Sequence, residues 1–164
     1  MALILLAALA GAPTSAYTQL NLDNCEILTV GHASQGEGDW AVRRCPGRNG
    51  IALIVNADDD RFDVDAGVDN GDWESISELN SLGPQVEWRS EGGRPFAIIY
   101  RYLLSEPSAR GATRLAVESI GRAGRPGCLV AVIPGSNTAN ARARQIADTR
   151  ARTFRCGHDE RITR

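Results

Sequence analysis

The chain has 164 residues, of which 23% are charged, and its formal net charge is −2. This length suits a single domain with one hydrophobic core and is short for two domains. The charge is uneven, with thirteen acids and four arginines from residue 17 to 82 but seven acids and fourteen arginines from residue 83 to 164. These halves can neutralise each other in the fold, and nothing predicts the clustered basic face with stacking aromatics that nucleic-acid binding needs.

The N-terminus resembles an export signal. Residues 1–12 are apolar and uncharged, and the small, turn-prone run of residues 13–16 follows. This apolar stretch is shorter than the roughly 20 residues that span a bilayer. The sequence therefore predicts a cleaved signal at residues 1–16, a single exported domain at residues 17–164, and no stable membrane span after cleavage. A buried N-terminal helix is the alternative. No basic residue precedes the apolar run, which leaves open whether Met1 is the true start.

Four cysteines lie downstream of the predicted signal, and none forms a CxxC pair, so zinc-ribbon and thioredoxin-type chemistry have no support. An even number of cysteines in an exported chain predicts disulfides and a periplasmic or secreted location. Three pairings are possible. We favour Cys25 with Cys45 and Cys128 with Cys156, because each short loop would tie one end of the chain to its neighbouring segment.

Short apolar runs separated by Gly, Pro and Asp clusters predict strands along the chain. The fold class that they indicate is α+β: mainly an antiparallel β-sheet or sandwich of about seven short strands, with one C-terminal amphipathic helix. The predicted strands are Ala41 to Arg44, Ile51 to Asn56, Arg61 to Asp65, Gln85 to Arg89, Phe96 to Leu104, Thr113 to Ile120 and Leu129 to Ile133.

The clearest local element is the hairpin around residues 91–93. A three-residue loop would pair Trp88 with Phe96 and Val86 with Ile98, which keeps one face apolar. A two-residue turn would instead set a charge opposite an apolar side chain, so we predict the three-residue loop. An aromatic stripe is expected on these strands, either as core or as an exposed platform for a ligand; its members are Trp88, Phe96, Tyr100 and Tyr102.

The C-terminal helix is predicted from Asn137 to about Phe154, with Ser136 or Asn137 as its cap. Its apolar arc should cover one face of the sheet. Arg150 falls inside that arc, where a guanidinium needs a carboxylate or a route to water, and we expect it to reach solvent at the edge of the stripe.

An acidic segment, residues 56–74, is the stretch most suggestive of site chemistry. A carboxylate-rich loop could supply several of the six to eight oxygens that Ca²⁺ takes, although the spacing does not match an EF-hand. The candidate ligands are Asp58, Asp60, Asp63, Asp65 and Asp69. We favour instead a solvated acidic turn, with Asp63 and Asp65 on the solvent face of a strand. No other cofactor is indicated.

Catalytic motifs are weaker still. The two histidines do not occur in HExxH, and no serine sits in a GxSxG elbow. Glu87 and Glu118 lie on predicted strands, and a glycosidase would need two such carboxylates facing one groove. No catalytic residue is therefore proposed from the sequence.

Three segments resemble a group of small exported proteins of Gram-negative bacteria that have no assigned function: Cys45-Pro46-Gly47, the run from Val86 through Pro95, and Ala143 to Asp148. The resemblance implies an exported protein and transfers no catalytic residue. We expect a noncatalytic binding or accessory protein whose partner is an envelope or extracellular protein, possible roles being envelope association or inhibition of a hydrolase. The alternative is a hydrolase or metal-dependent enzyme that uses residues 58–72.

Overall fold

The computed structural model describes residues 11–163, which form two antiparallel sheets and one C-terminal helix. The seven predicted strands are all present, and three more were not predicted: β1, β2 and β6. The strands are β1 Thr14–Gln19, β2 Glu26–Val30, β3 Trp40–Arg48, β4 Ile51–Asp58, β5 Arg61–Ala66, β6 Asn80–Leu82, β7 Gln85–Glu91, β8 Arg94–Leu104, β9 Thr113–Ser119 and β10 Leu129–Pro134.

The larger sheet is built around β8. Its strand order is β1-β7-β8-β9-β10, and β6 pairs with the end of β8 that β7 leaves free. The connection between β6 and β7 follows β8 closely, since the Gly83 amide donates to the Arg101 carbonyl at 2.8 Å. One edge of β8 is therefore shared by two strands, and its other edge pairs with β9.

The smaller sheet is a meander of four strands in sequence order, β2-β3-β4-β5. Disulfide Cys25–Cys45 links the segment before β2 to β3, and disulfide Cys128–Cys156 links the residue before β10 to the segment after the helix. Both predicted pairings are confirmed. Two disulfides indicate that the chain folds in an oxidising environment.

Two hydrophobic cores lie on opposite faces of the larger sheet. One fills the space between the sheets and includes Leu53, Val64, Trp88 and Tyr102. The other lies beneath the helix and includes Ile99. Because successive side chains of a strand point to opposite faces, the central strands β8 and β9 supply both cores. Of the predicted aromatic stripe, Trp88, Tyr100 and Tyr102 are in the inter-sheet core, and Phe96 packs beneath the helix.

The β7–β8 hairpin differs from the predicted register. Its turn has two residues, Gly92 and Gly93, which both have positive φ, and Glu91 pairs with Arg94. A bulge after this turn shifts the register, so that Trp88 pairs with Ile98 rather than with Phe96. The extra residue on one strand restores the apolar face that a two-residue turn would otherwise have broken. The predicted three-residue loop was therefore wrong, although the apolar face that motivated it is present.

The helix, α1, runs over Ala139–Ile146 and continues as a π-helical turn over Ala147–Ala151. Thr138 is its N-cap, without a capping bond from its side chain, so neither expected cap residue serves. A π-turn adds one residue to the helical repeat. Ala151, rather than Arg150, therefore faces the core, and Arg150 is exposed as expected.

Charged side chains join the helix to β1 and β7. Arg89 donates to both carboxylate oxygens of Asp148 at 2.9 and 2.7 Å, and also to Ser15 Oγ and the Pro13 carbonyl. The side chain of Arg89 is only 7% exposed. Beside it, Arg144 donates to Glu87 at 2.6 Å. This network connects the first strand of the chain to its last helix.

Part of the predicted export signal, residues 1–10, lies outside the described residues. Within residues 11–163, Thr14–Gln19 forms β1, so a cut after Ala16 would fall inside that strand. No helix of this described part of the chain is long and apolar enough to cross a membrane.

Candidate functional site

The structure divides the predicted calcium ligands into two groups. Asp58, Asp60 and Asp69 are exposed. Asp63 and Asp65, which lie on β5, are only 2% and 1% exposed. The expectation that these two side chains face solvent is therefore wrong.

Both faces of β5 are covered, which explains this burial. Val64 packs into the core between the sheets, and the segment of residues 67–79 folds across the opposite face. The Asn70 amide donates to Asp65 and the Glu74 amide donates to Asp63, at 3.4 and 3.3 Å. The side chains of β5 alternate between its two faces as predicted. The face that was expected to meet solvent is instead covered by the segment that follows the strand.

Two glycines permit this close cover. Gly67 has a φ of +90°, and a Cβ there would lie 2.3 Å from the Gly121 carbonyl oxygen. The Gly121 amide donates to the Ala66 carbonyl at 2.7 Å, which links the end of β5 to the segment after β9. Because neither residue has a side chain, the end of β5 can lie close to the segment after β9.

Two further carboxyl groups meet Asp65 beneath the covering segment. Glu118 lies on β9, and its cross-strand partner Ile98 belongs to the inter-sheet core, so the Glu118 side chain points inward. Glu74 comes from the covering segment itself. One oxygen from each of Asp65, Glu74 and Glu118 lies within 4.8 Å of the others. We call these three residues the buried carboxyl cluster.

The hydrogen bonds of the cluster are unequal. Glu74 Oε2 accepts from the Leu129 amide and from Asn70 Nδ2, both at 2.9 Å, and Glu74 Oε1 accepts from Arg161. Glu118 is 1% exposed, and its Oε1 has no hydrogen-bond partner in the structure. Such a buried oxygen is costly unless something else satisfies it.

Burial and mutual repulsion both disfavour ionisation here. Burial raises the pKa of Asp65 to about 8, and the neighbouring Asp63 charge adds to the effect. Burial likewise raises the pKa of Asp63 to about 6, although hydrogen bonds from the backbone oppose the shift. Burial, followed by repulsion from Glu74 and Asp65, raises the pKa of Glu118 well above its ordinary value. The metal-free cluster therefore holds protons that isolated carboxyl groups would release.

The predicted pair Glu87 and Glu118 does not share a groove. Glu87 lies opposite Ile99 and bonds to Arg144 of the helix, so its side chain is on the helix face of the larger sheet. Glu118 points to the other face. The sheet itself separates the two carboxylates, which rules them out as a glycosidase pair.

A groove of about 590 Å³ lies between the β7–β8 turn, the segment after β9 and the end of the helix. Apolar side chains, including Phe96 and Phe154, form part of its wall. The Cζ atom of Arg152 lies over the Phe96 ring, 4.4 Å from the ring centre. The exposed side chains around it are mainly basic. They are Arg94, Arg122, Arg125 and Arg152, against the single acid Glu91.

The arginines of this groove differ in their partners. Arg152 pairs with Glu91 at 3.0 Å, and Arg125 donates to the Arg152 carbonyl at 3.0 Å. Within the described part of the chain, Arg94 and Arg122 form no ion pair. The arginine groove, as we call it, therefore carries an excess of positive charge beside an apolar surface. The sequence signal was the basic C-terminal half, but its arginines are dispersed along the chain and only the fold collects these four.

A smaller cleft of about 300 Å³ is lined by residues from both ends of the acidic segment, 56–58 and 69–73. It is lined by Trp40 and Trp73, with Asp58 and Asp69 beside them. A Cβ on Gly31 would overlap the Trp40 ring, so this indole packs against the backbone. Two of the predicted ligands thus line an open surface cleft rather than the buried carboxyl cluster.

Comparisons with protein-family models, with curated proteins and with solved structures found no match to this chain. The fold and disulfides define a β-rich, disulfide-linked domain. Its function is argued below from the arginine groove and the carboxyl groups.

Proposed function

We propose that this protein is a noncatalytic extracytoplasmic binding protein that holds an acidic segment of an envelope or extracellular partner protein in the arginine groove. The observation that carries the proposal is the concentration of four arginines around one groove, opposed by one acid that is already paired. The two disulfides support a periplasmic or secreted location, where such a partner would be met.

The chemistry of the groove suits an acidic peptide segment. Guanidinium groups bind carboxylates through paired, directional hydrogen bonds. Arg94 and Arg122, which form no ion pair within the described residues, can make them, while half-buried Ile120 and exposed Pro126 offer apolar surface to neighbouring side chains. Exposed charges also increase the rate of encounter with an oppositely charged partner, an effect that salt weakens.

The alternative, a hydrolase or metal-dependent enzyme that uses residues 58–72, has less support. Such an enzyme needs carboxylates that a substrate can reach. Asp65 and Glu118 are each 1% exposed beneath the covering segment, and the exposed Asp58, Asp60 and Asp69 do not join them. We therefore favour binding over catalysis.

The first test is a calorimetric titration of the exported chain with an oligoglutamate peptide, and with oligoglutamine as the neutral control peptide. The groove variant is the double substitution Arg94→Gln/Arg122→Gln. The matched control is Arg110→Gln/Arg142→Gln, which removes the same charge from exposed positions outside the groove. We expect the groove variant to bind oligoglutamate at least about tenfold more weakly, a change of about 1.4 kcal/mol, and the control to bind within about twofold of the parent.

Crosslinking in cells then tests the partner. Affinity capture of the tagged chain should recover one acidic envelope or extracellular protein, in an amount nearly equal to that of the tagged chain. Recovery should persist with the control double variant and be lost with the groove variant. Equal oligoglutamate affinity in the two variants, or equal recovery of the partner, would show that the groove is not the binding site.

A further inference from the structure

The geometry points to a buried calcium site formed by Asp65, Glu74 and Glu118. Oxygens that coordinate Ca²⁺ lie 2.3–2.6 Å from the ion, so two on opposite sides are separated by about 4.6–5.2 Å. The three carboxylate oxygens lie within 4.8 Å of one another. A single ion at their centre can therefore contact all three without a large movement of the backbone.

The unpartnered oxygen of Glu118 is the independent observation that indicates a ligand. This side chain is 1% exposed, its other neighbours in the cluster are carboxyl groups, and Oε1 receives no hydrogen bond. Nearly all buried polar atoms in proteins have a partner, and a bare carboxylate oxygen is among the most costly exceptions. A cation held between Glu118 and Asp65 would satisfy this oxygen.

Charge balance supports a divalent ion. Asp63 lies beside the three ligands and adds a fourth carboxyl group, whereas Arg161 is the one basic side chain that contacts the cluster within the described residues. Tyr100 and Tyr102, which lie near Glu118 and Asp63, carry neutral phenols joined by a 3.1 Å hydrogen bond. Two further positive charges would leave this interior close to neutral when its carboxyl groups are ionised.

The donor set favours calcium over other common ions. It contains only oxygen, without the histidine or cysteine that zinc prefers. Magnesium usually keeps several waters, which suits an open site better than carboxylates sealed beneath residues 67–79. Of the five ligands predicted from the sequence, only Asp65 belongs to this site. Glu74 and Glu118 come from other parts of the chain, so the inferred site is not the linear acidic loop.

The test uses the full exported chain, freed of metal with EDTA and dialysed into a chelator-free buffer. Calorimetric titration with CaCl₂ should show one ion bound per chain, with magnesium binding more weakly. At a Ca²⁺ concentration about 100 times its Kd, we expect the Tm to rise by about 5–10 °C. Binding at this site is independent of the arginine groove, so the groove double variant should retain it.

Glu118→Gln keeps the shape of the side chain but removes its charge. We expect this variant to lose calorimetric Ca²⁺ binding and the Ca²⁺-dependent rise in Tm, whereas the control Asp58→Asn, which alters an exposed carboxylate of the acidic segment, keeps both. Near-ultraviolet circular dichroism checks that the variant is folded, and Asp65→Asn replaces it if it is not. Absence of Ca²⁺ binding by the parent chain, binding that survives in the cluster variant, or binding that Asp58→Asn abolishes would each overturn the site.

Discussion

Replacing Asp148 with alanine should destabilise the protein strongly, because it leaves the Arg89 guanidinium buried without its principal counter-ion. Arg89 makes two hydrogen bonds to Asp148, and its side chain is only 7% exposed. After the substitution Arg89 retains the Ser15 hydroxyl and the Pro13 carbonyl as acceptors. Neither of these groups is charged.

The expected magnitude follows from the surroundings of this pair. Removing one partner of a fully buried ion pair costs about 3–5 kcal/mol. The Asp148 side chain is 25% exposed, and Glu87 lies 3.9 Å from Arg89, so part of the lost interaction is replaced. Glu87 is already held by Arg144 at 2.6 Å, however, and cannot compensate fully. We therefore expect the free energy of unfolding to fall by about 2–3 kcal/mol.

Urea unfolding measured by tryptophan fluorescence provides the assay. With an m-value of about 2 kcal/mol/M, the midpoint should fall by about 1–1.5 M. Arg155→Ala is the control, since it breaks an exposed pair with Asp159 and should leave the midpoint within error. The double substitution Arg89→Met/Asp148→Leu should recover most of the loss, because no unpaired buried charge remains: Glu87 keeps its partner Arg144. An unchanged midpoint in Asp148→Ala would refute the reasoning.

Two further predictions concern the ends of the domain. Replacing both cysteines of the Cys128–Cys156 disulfide with alanine removes a link between residues 28 apart, and should lower the free energy of unfolding by about 3.5 kcal/mol in the same urea assay. A loss below about 1 kcal/mol would contradict the expected restriction of the unfolded chain. If the predicted export signal is cleaved, we expect the cut before Pro13 rather than after Ala16, because Pro13 and Ser15 contact Arg89 in the folded chain. The intact mass of the exported chain decides between these sites, and a chain that begins at Tyr17 would contradict the expectation.

The strands that could be predicted from the sequence are those with apolar alternation between turn residues. β1, β2 and β6 lack that signal for different reasons. β1 is mostly polar and follows the apolar N-terminus, β2 is a largely exposed edge strand, and β6 has only three residues. Their pairing depends on partners elsewhere in the sheet, which local propensity does not reveal.

Two errors of register came from insertions of a single residue. The bulge at Phe96 moved the partner of Trp88 to Ile98, and the π-turn brought Ala151 rather than Arg150 to the core. Both features interrupt the regular repeat on which periodicity arguments rest. A sequence period locates a strand or a helix, but a one-residue irregularity inside it must be seen in the structure.

The carboxyl cluster illustrates a different limit. Asp65 was identified because acidic residues are concentrated near it in the sequence, whereas Glu118 is an isolated acid among apolar residues of β9. Alternation with Ala116 places Glu118 on the face that packs against the other sheet, and this was the available signal. The segment that carries Glu74 folds back over β5 because Gly67 and Gly121 lie close together in the tertiary structure. No local sequence pattern predicts that arrangement.

The position of β1 in the larger sheet constrains the order in which the protein can assemble. Thr14 pairs with Ser90, whereas the smaller sheet forms from strands that follow one another directly. Ser90 lies 76 positions after Thr14 (90 − 14), so the partner strand of β1 becomes available only after β2 to β5. Until β7 is available, the backbone hydrogen-bonding groups of β1 have no partner strand, whereas β2 to β5 can already pair with one another. Among the described strands, β1 thus completes its pairing only after the smaller sheet has been able to form.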